Sequence, residues 1–176
     1  MLRISFPTMP ITLHDATSAD LPAVKNLVPY YIYEMSEYLG WPCTADGRFD
    51  GCDDLASYWT TPRRHAFVLR DGAELAGFVL ILADNAEADV DFSVTDFFVL
   101  RKFRRRGVGE RVARELFDRF RGRWKIDQFV ANEPAVAFWG AVVKRYTGGR
   151  FEQRSGKSEW GALKVLTFQS DRSRSG

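Results

Sequence analysis

Apolar residues recur every three or four positions at Leu21, Val24, Leu27, Val28, Tyr31, Ile32 and Met35. That spacing puts them on one stripe of a helix. Ser18 or Asp20 stands where an N-cap belongs, and Pro29 inside the run predicts a kink or a break. A second stripe runs through Val108, Val112, Leu116, Phe117 and Phe120, opposite Arg111, Arg114, Glu115, Asp118 and Arg119. It predicts an amphipathic helix over about 110–121. A third helix is predicted over 134–146. Asn132 would cap it, Pro134 stands in its first turn, and Gly148-Gly149 would end it.

Between the helices lie short apolar or alternating runs, read as strands over 11–13, 66–69, 75–82, 90–100, 128–131, 151–153 and 163–168. Asp71-Gly72 is a hairpin turn signal and 85–88 is a second turn. Residues 40–54 form a polar loop with room for a short helix. In 90–100, Phe92 and Val94 alternate with Asp91, Ser93 and Thr95, then Phe97 to Leu100 run on without a polar break. The slip at Asp96 predicts a bulge or a passage into full burial. The order β, α, β, β, β, α, β, α, β, β predicts an α/β (mixed α+β) single domain with a mixed central sheet and helices on its faces.

Composition adds bounds. The chain has 176 residues, 45% hydrophobic and 27% charged, as in a soluble domain with its own core. It holds no apolar run of membrane-span length and no export pattern at its start, so a cytoplasmic protein with no membrane partner is expected. Cys43 and Cys52 are then read as free thiols. Net charge is only +2, but residues 1–100 carry 6 basic against 15 acidic side chains, whereas 101–125 carry 11 against 3. Such a basic block suits a polyanionic ligand.

The block begins Arg101-Lys102-Phe103-Arg104-Arg105-Arg106-Gly107-Val108-Gly109, directly after a strand and directly before a helix. Glycines admit close backbone approach, and helix N-terminal amides attract anions. No GxxxxGK[ST] is present, which excludes a P-loop. A dinucleotide fingerprint fails as well, because Val112 stands where its third glycine belongs. The pattern Arg104-x-x-Gly107-x-Gly109 resembles the acetyl-coenzyme A loop of the GCN5-related N-acetyltransferases (GNAT). Asn132-Glu133-Pro134-Ala135-Val136-Ala137-Phe138-Trp139 is similar to that family's Asn-x-x-Ala-x-x-Phe-Tyr segment.

The resemblance implies a GNAT-like domain over 11–170, with an extension at 1–10 and a flexible tail at 171–176. It also implies a V-shaped splay between the fourth and fifth strands. The implied co-substrate is acetyl-CoA, with no metal. Its contacts would be Phe98, Val99, Arg104, Arg105, Arg106, Gly107, Val108, Gly109, Asn132 and Phe138. The implied reaction moves acetyl from the thioester to a primary amine by direct attack, with a backbone N–H at Phe98 or Val99 facing the oxyanion. Asp96 is the candidate base. Trp139 stands where the family has its acidic tyrosine, and an indole cannot deliver a proton. Tyr146 lies two turns further along.

Aromatic and acidic residues interleave at Tyr31, Glu34, Tyr38 and Trp41, then Asp46, Asp50, Asp53 and Asp54. They suggest a small cationic acceptor. Two other readings stay open: a non-catalytic acetyl-CoA sensor, and a basic nucleic-acid-binding module. Nucleic acid is not the expected partner, because acidic residues interrupt the basic helix and no DNA-binding signature is present. A homodimer is left open.

Overall fold

Seven strands form one sheet in the order β1-β2-β3-β4-β5-β7-β6. They are β1 (Thr12–Asp15), β2 (Arg64–Asp71), β3 (Glu74–Ala83), β4 (Phe92–Val99), β5 (Arg123–Phe129), β6 (Glu152–Ser158) and β7 (Gly161–Gln169). The helices are α1 (Leu21–Leu39), α2 (Ser57–Thr60), α3 (Val108–Arg119) and α4 (Glu133–Thr147). This computed structural model describes residues 11–49, 51, 54–83 and 89–170. The expected extension and tail, the turn at 85–88, and Asp50, Cys52 and Asp53 lie outside the described residues. Cys43 is exposed and free. No helix among the described residues is long and apolar enough to cross a membrane.

β1 to β4 pair antiparallel, β4 and β5 pair in parallel, and β5, β7 and β6 are again antiparallel. Right-handed strand–helix–strand packing accounts for α3 between the two parallel strands. Each face of the sheet has its own core. Phe67, Val79, Ile81, Trp124, Ile126 and Leu166 pack under α3 and α4. Val68, Phe78, Leu80 and Phe98 pack under α1 and the segment leading to α2. A mixed sheet covered on both sides is thus the observed architecture.

Several local expectations are corrected. α1 runs through Pro29 without a break. The proline is exposed, so the carbonyl it leaves unpaired faces water, while Val28, Ile32 and Met35 clamp the buried stripe on either side. The short helix lies at 57–60, after the 40–54 loop. β5 begins five residues earlier than expected, and its polar start, Arg123 and Lys125, hid it. β6 is longer than 151–153 because, as a sheet-edge strand, it needs few apolar residues.

The slip at Asp96 is a bulge. Leu80 faces Asp96 while the adjacent Ile81 faces Val94, so Thr95 is the extra residue. Phe92 and Val94 lie on the α3/α4 face, and simple alternation would send Asp96 there too. The inserted residue reverses the parity. Asp96 and Phe98 turn toward α1, while Phe97 and Val99 turn toward α3 and α4.

Candidate active site

β4 and β5 pair only from Phe92 to Val94 against Trp124 to Ile126, although both strands continue. Beyond that they diverge. The Leu100 N–H donates to the Ala76 carbonyl at 2.9 Å, so even-numbered main-chain groups here face β3. The N–H and C=O of Phe97 and Val99 therefore face the gap. Of the two expected donors, Val99 points into the opening and Phe98 points into the sheet. On β5 the Val130 N–H donates to Ala162, which turns Asp127 and Phe129 toward the gap from the other side. The opening joins a cleft of about 400 Å³ bounded by α1, the end of β4, the basic loop and α4.

The loop places its amides at the same opening. Arg105 and Gly107 both adopt the left-handed conformation, with φ of 60° and 73°. Alternating conformations of this kind turn successive N–H groups toward one side. The first intrahelical bond of α3 is Arg111 N–H to Gly107 O at 3.1 Å, and no side chain caps this end. The N–H groups of Val108, Gly109 and Glu110 are left without intrahelical acceptors. The start of α4 is different, because Asn132 Oδ1 accepts from the Ala135 N–H at 3.1 Å. Gly109 serves close packing: a Cβ there would lie 3.0 Å from Cζ of Phe138.

Most of the basic block is already engaged. Arg104 Nε donates to the Val99 carbonyl at 2.6 Å, and its terminal nitrogen donates to Glu34 at 2.6 Å. Arg101 holds the other Glu34 oxygen at 2.9 Å, and Lys102 pairs with Glu74. Arg111 donates to the Ile11 carbonyl, and Arg119 binds Asp15. Arg105 and Arg106 form no ion pair among the described residues, and both are exposed. They are the side chains free to meet an anion beside the uncapped helix end.

α4 supplies the opposite wall. Phe138 and Trp139 meet edge-on at 4.9 Å, and Trp139 packs edge-on against Phe97 at 5.1 Å. Asn132 also donates from Nδ2 to the sulfur of Met35 at 3.5 Å, tying α4 to α1. Tyr146 is excluded as a proton source. Its hydroxyl donates to Asp118 at 3.0 Å outside the cleft, and burial pushes its pKa well above that of an ordinary phenol.

Of the expected acceptor residues, Tyr31, Glu34 and Tyr38 line the cleft. Trp41 meets Trp160 of the β6–β7 turn at 5.7 Å and 85°. Trp160 is half-exposed, and neither tryptophan is among the residues that line the cleft. Trp41 Nε1 is buried with no hydrogen-bond partner among the described residues. The acidic residues offer less free charge than the sequence suggested. Glu34 bridges two arginines, Asp46 pairs with Arg48 and Asp54 with Arg64. Asp96 does not line the cleft directly. Burial pushes its carboxyl above the usual range, while hydrogen bonds from Tyr31 and Thr95 pull the other way. Part of its surface remains open even though protein surrounds it on most sides. Among the described residues, no three His, Cys, Asp or Glu side chains gather as metal ligands.

An uncapped helix end beside an unpaired strand edge presents free amides of the kind that suit anionic, peptide-like ligands. The family model "Acetyltransferase (GNAT) family" matches residues 30–141. The chain belongs to this family of N-acetyltransferases. An acetyltransferase from Thermus thermophilus superposes with a TM-score of 0.66 at 18% identity, covering 92% of this chain and 98% of that one. A mutant of the spermidine N-acetyltransferase SpeG from Vibrio cholerae gives a TM-score of 0.63 at 13% identity, covering 92% and 94%. At these identities the likeness is one of fold. No curated protein matches the sequence.

Proposed function

We propose that this chain transfers acetyl from acetyl-CoA to a primary amine of a small acceptor. The observation that carries the reading is the meeting of two ligand-shaped features. The uncapped α3 amides with Arg105 and Arg106 suit a pyrophosphate. The gap-facing main chain of β4 suits the amides of a pantetheine arm. Bound acetyl-CoA supplies an acyl thioester, whose carbon is open to attack by an amine. The N–H of Val99 is the donor available to the carbonyl oxygen. Phe97, Phe138 and Trp139 form an apolar wall that excludes water. Trp139 can donate a hydrogen bond, and a thiol with a pKa of about 8.5 leaves without full protonation.

A cationic acceptor is the favoured class. Tyr31, Tyr38 and the Trp41–Trp160 pair offer ring faces, and Glu37 is exposed on the same helix. Ring faces carry this preference more than charge does, since Glu34 already holds two arginines. Two measurements test the reading. Acetyl-CoA should raise the melting temperature, and a panel of amines should release free CoA thiol. Stabilisation without release by any amine would favour a sensor. Stabilisation by oligonucleotides but not by acetyl-CoA would favour a nucleic-acid module.

A further inference from the structure

Tyr31 lines the cleft, its ring packs on Phe98, the next residue along the same face of β4 from Asp96, and its hydroxyl acts on the Asp96 carboxyl as a hydrogen-bond donor. We propose that Tyr31 is the catalytic residue that receives the acceptor's proton, with Asp96 as the positioning residue behind it. The proposal rests on the acetyltransferase reading above.

Local geometry favours Tyr31. The bulge at Thr95 turns Asp96 toward α1, and Tyr31 is the α1 residue it meets. The Tyr31 ring is held edge-on by Phe98 at 5.8 Å and by Phe78 at 6.2 Å, so its hydroxyl has a fixed direction. The alternatives are engaged or unsuited. Glu34 is held by Arg101 and Arg104, Tyr146 is bonded to Asp118, and Trp139 cannot carry a proton. Tyr38, the other phenol of the cleft, has no carboxylate partner among the described residues.

The surroundings leave Asp96 free of strong charge. From α1 the nearby ionisable groups are Tyr31 and the neutralised Glu34. The α2 side contributes Tyr58, whose hydroxyl donates to Thr95 at 2.8 Å, and the Arg64–Asp54 pair. β3 contributes the apolar Phe78 and Leu80, and β5 the Lys125–Asp127 pair. Burial dominates, and it makes the Asp96 carboxylate a stronger base than an exposed one.

The step balances as follows. The lone pair of a neutral amine forms the C–N bond while the C–S bond breaks, its electrons leaving on sulfur. One N–H proton passes to Tyr31 Oη as the phenolic proton passes to the Asp96 carboxylate. Exchange with solvent then returns Asp96 to carboxylate and the thiolate to thiol.

The test uses Tyr31→Phe, Asp96→Asn and the double variant, with steady-state rates taken across pH. A relay predicts that each single variant loses about 100-fold or more in kcat, as expected for a lost general base. KM for acetyl-CoA should stay within about twofold of wild type, since neither residue is placed on the coenzyme. The double variant should fall no further than the worse single one. The fall in wild-type rate toward acid pH should disappear in each single variant. A Tyr31→Phe enzyme with wild-type kcat and an unchanged acid limb overturns the relay, as does a double variant whose losses multiply. If Asp96→Asn does not fold, checked by acetyl-CoA thermal shift, the Tyr31→Phe rate and pH profile decide alone. Absence of turnover by the wild-type chain with every amine would instead overturn the acetyltransferase reading.

Discussion

The Arg104 guanidinium joins two walls of the cleft: Nε donates to the Val99 carbonyl at 2.6 Å while the terminal nitrogen donates to Glu34 on α1 at 2.6 Å. It also lies over the Phe98 ring, 5.6 Å from the centroid. The motif arginine thus fixes the strand end whose N–H faces the opening. Arg104→Ala should cost about 1.5–3 kcal/mol, the usual range for hydrogen bonds to a charged group. Arg104→Lys should recover little, because a point charge cannot span both partners. Chemical denaturation of the three proteins checks this; equal stability of Arg104→Ala and wild type would contradict it.

The two motif glycines should fail in different ways. Gly107 has a φ of 73° with open space around it, so backbone strain alone opposes a side chain. Gly107→Ala should cost about 1–2 kcal/mol, and Gly107→Asn less, since asparagine tolerates this conformation. Gly109 is limited by contact, and Gly109→Val should push the Phe138 ring toward the cleft. Its loss should appear mainly as weaker stabilisation by acetyl-CoA. Melting curves with and without acetyl-CoA separate the two effects.

Trp160 reaches from the β6–β7 turn to Trp41, just beyond the end of the helix whose Tyr31 and Tyr38 line the cleft, and the proposed acceptor would meet this pair. It is half-exposed, so Trp160→Ala should change stability by no more than about 0.5–1 kcal/mol. The acceptor KM should rise several-fold while the acetyl-CoA KM stays the same. Initial rates with each substrate varied in turn provide the check, and a selective effect on acetyl-CoA would count against this placement.

Burial of Asp96 also makes a prediction about stability. Its folded-state pKa lies above the reference value of 3.8. The folded protein therefore holds this proton more tightly than the unfolded chain does. Ionising the carboxyl weakens the fold as pH rises from the unfolded value through the folded one. Asp96→Asn, which cannot ionise, should melt higher than wild type at neutral pH. That advantage should shrink as pH falls and vanish below the unfolded value. Melting temperatures of both proteins across this range test the sign.

Much of this could be read from local residue chemistry. The Asn132 cap and the Gly148 end each follow from one residue's conformational or hydrogen-bonding preference and lie where the sequence put them, and the hairpin turn falls at Gly72-Ala73, one residue beyond the Asp71-Gly72 signal. The bulge was legible as a broken alternation, but its consequence for Asp96 needed the partner strand. Pairing across the fold was not legible. Glu34 and Arg104 are 70 residues apart, and nothing local says that an acidic residue on the first helix will take up the motif arginine. The Trp160 contact with Trp41 was missed for the same reason, since a hairpin tip reaches the end of α1 only after β6 and β7 fold back. Pro29 misled because its cost depends on exposure, which composition does not reveal.

The short parallel ladder has one more consequence. Three residue pairs are the strand-to-strand hydrogen-bonded seam between the four-stranded plate β1 to β4 and the three-stranded plate β5 to β7. A ligand lying along the unzipped part would act as the absent strand, so amide exchange at Phe97, Val99, Asp127 and Phe129 should slow when it binds.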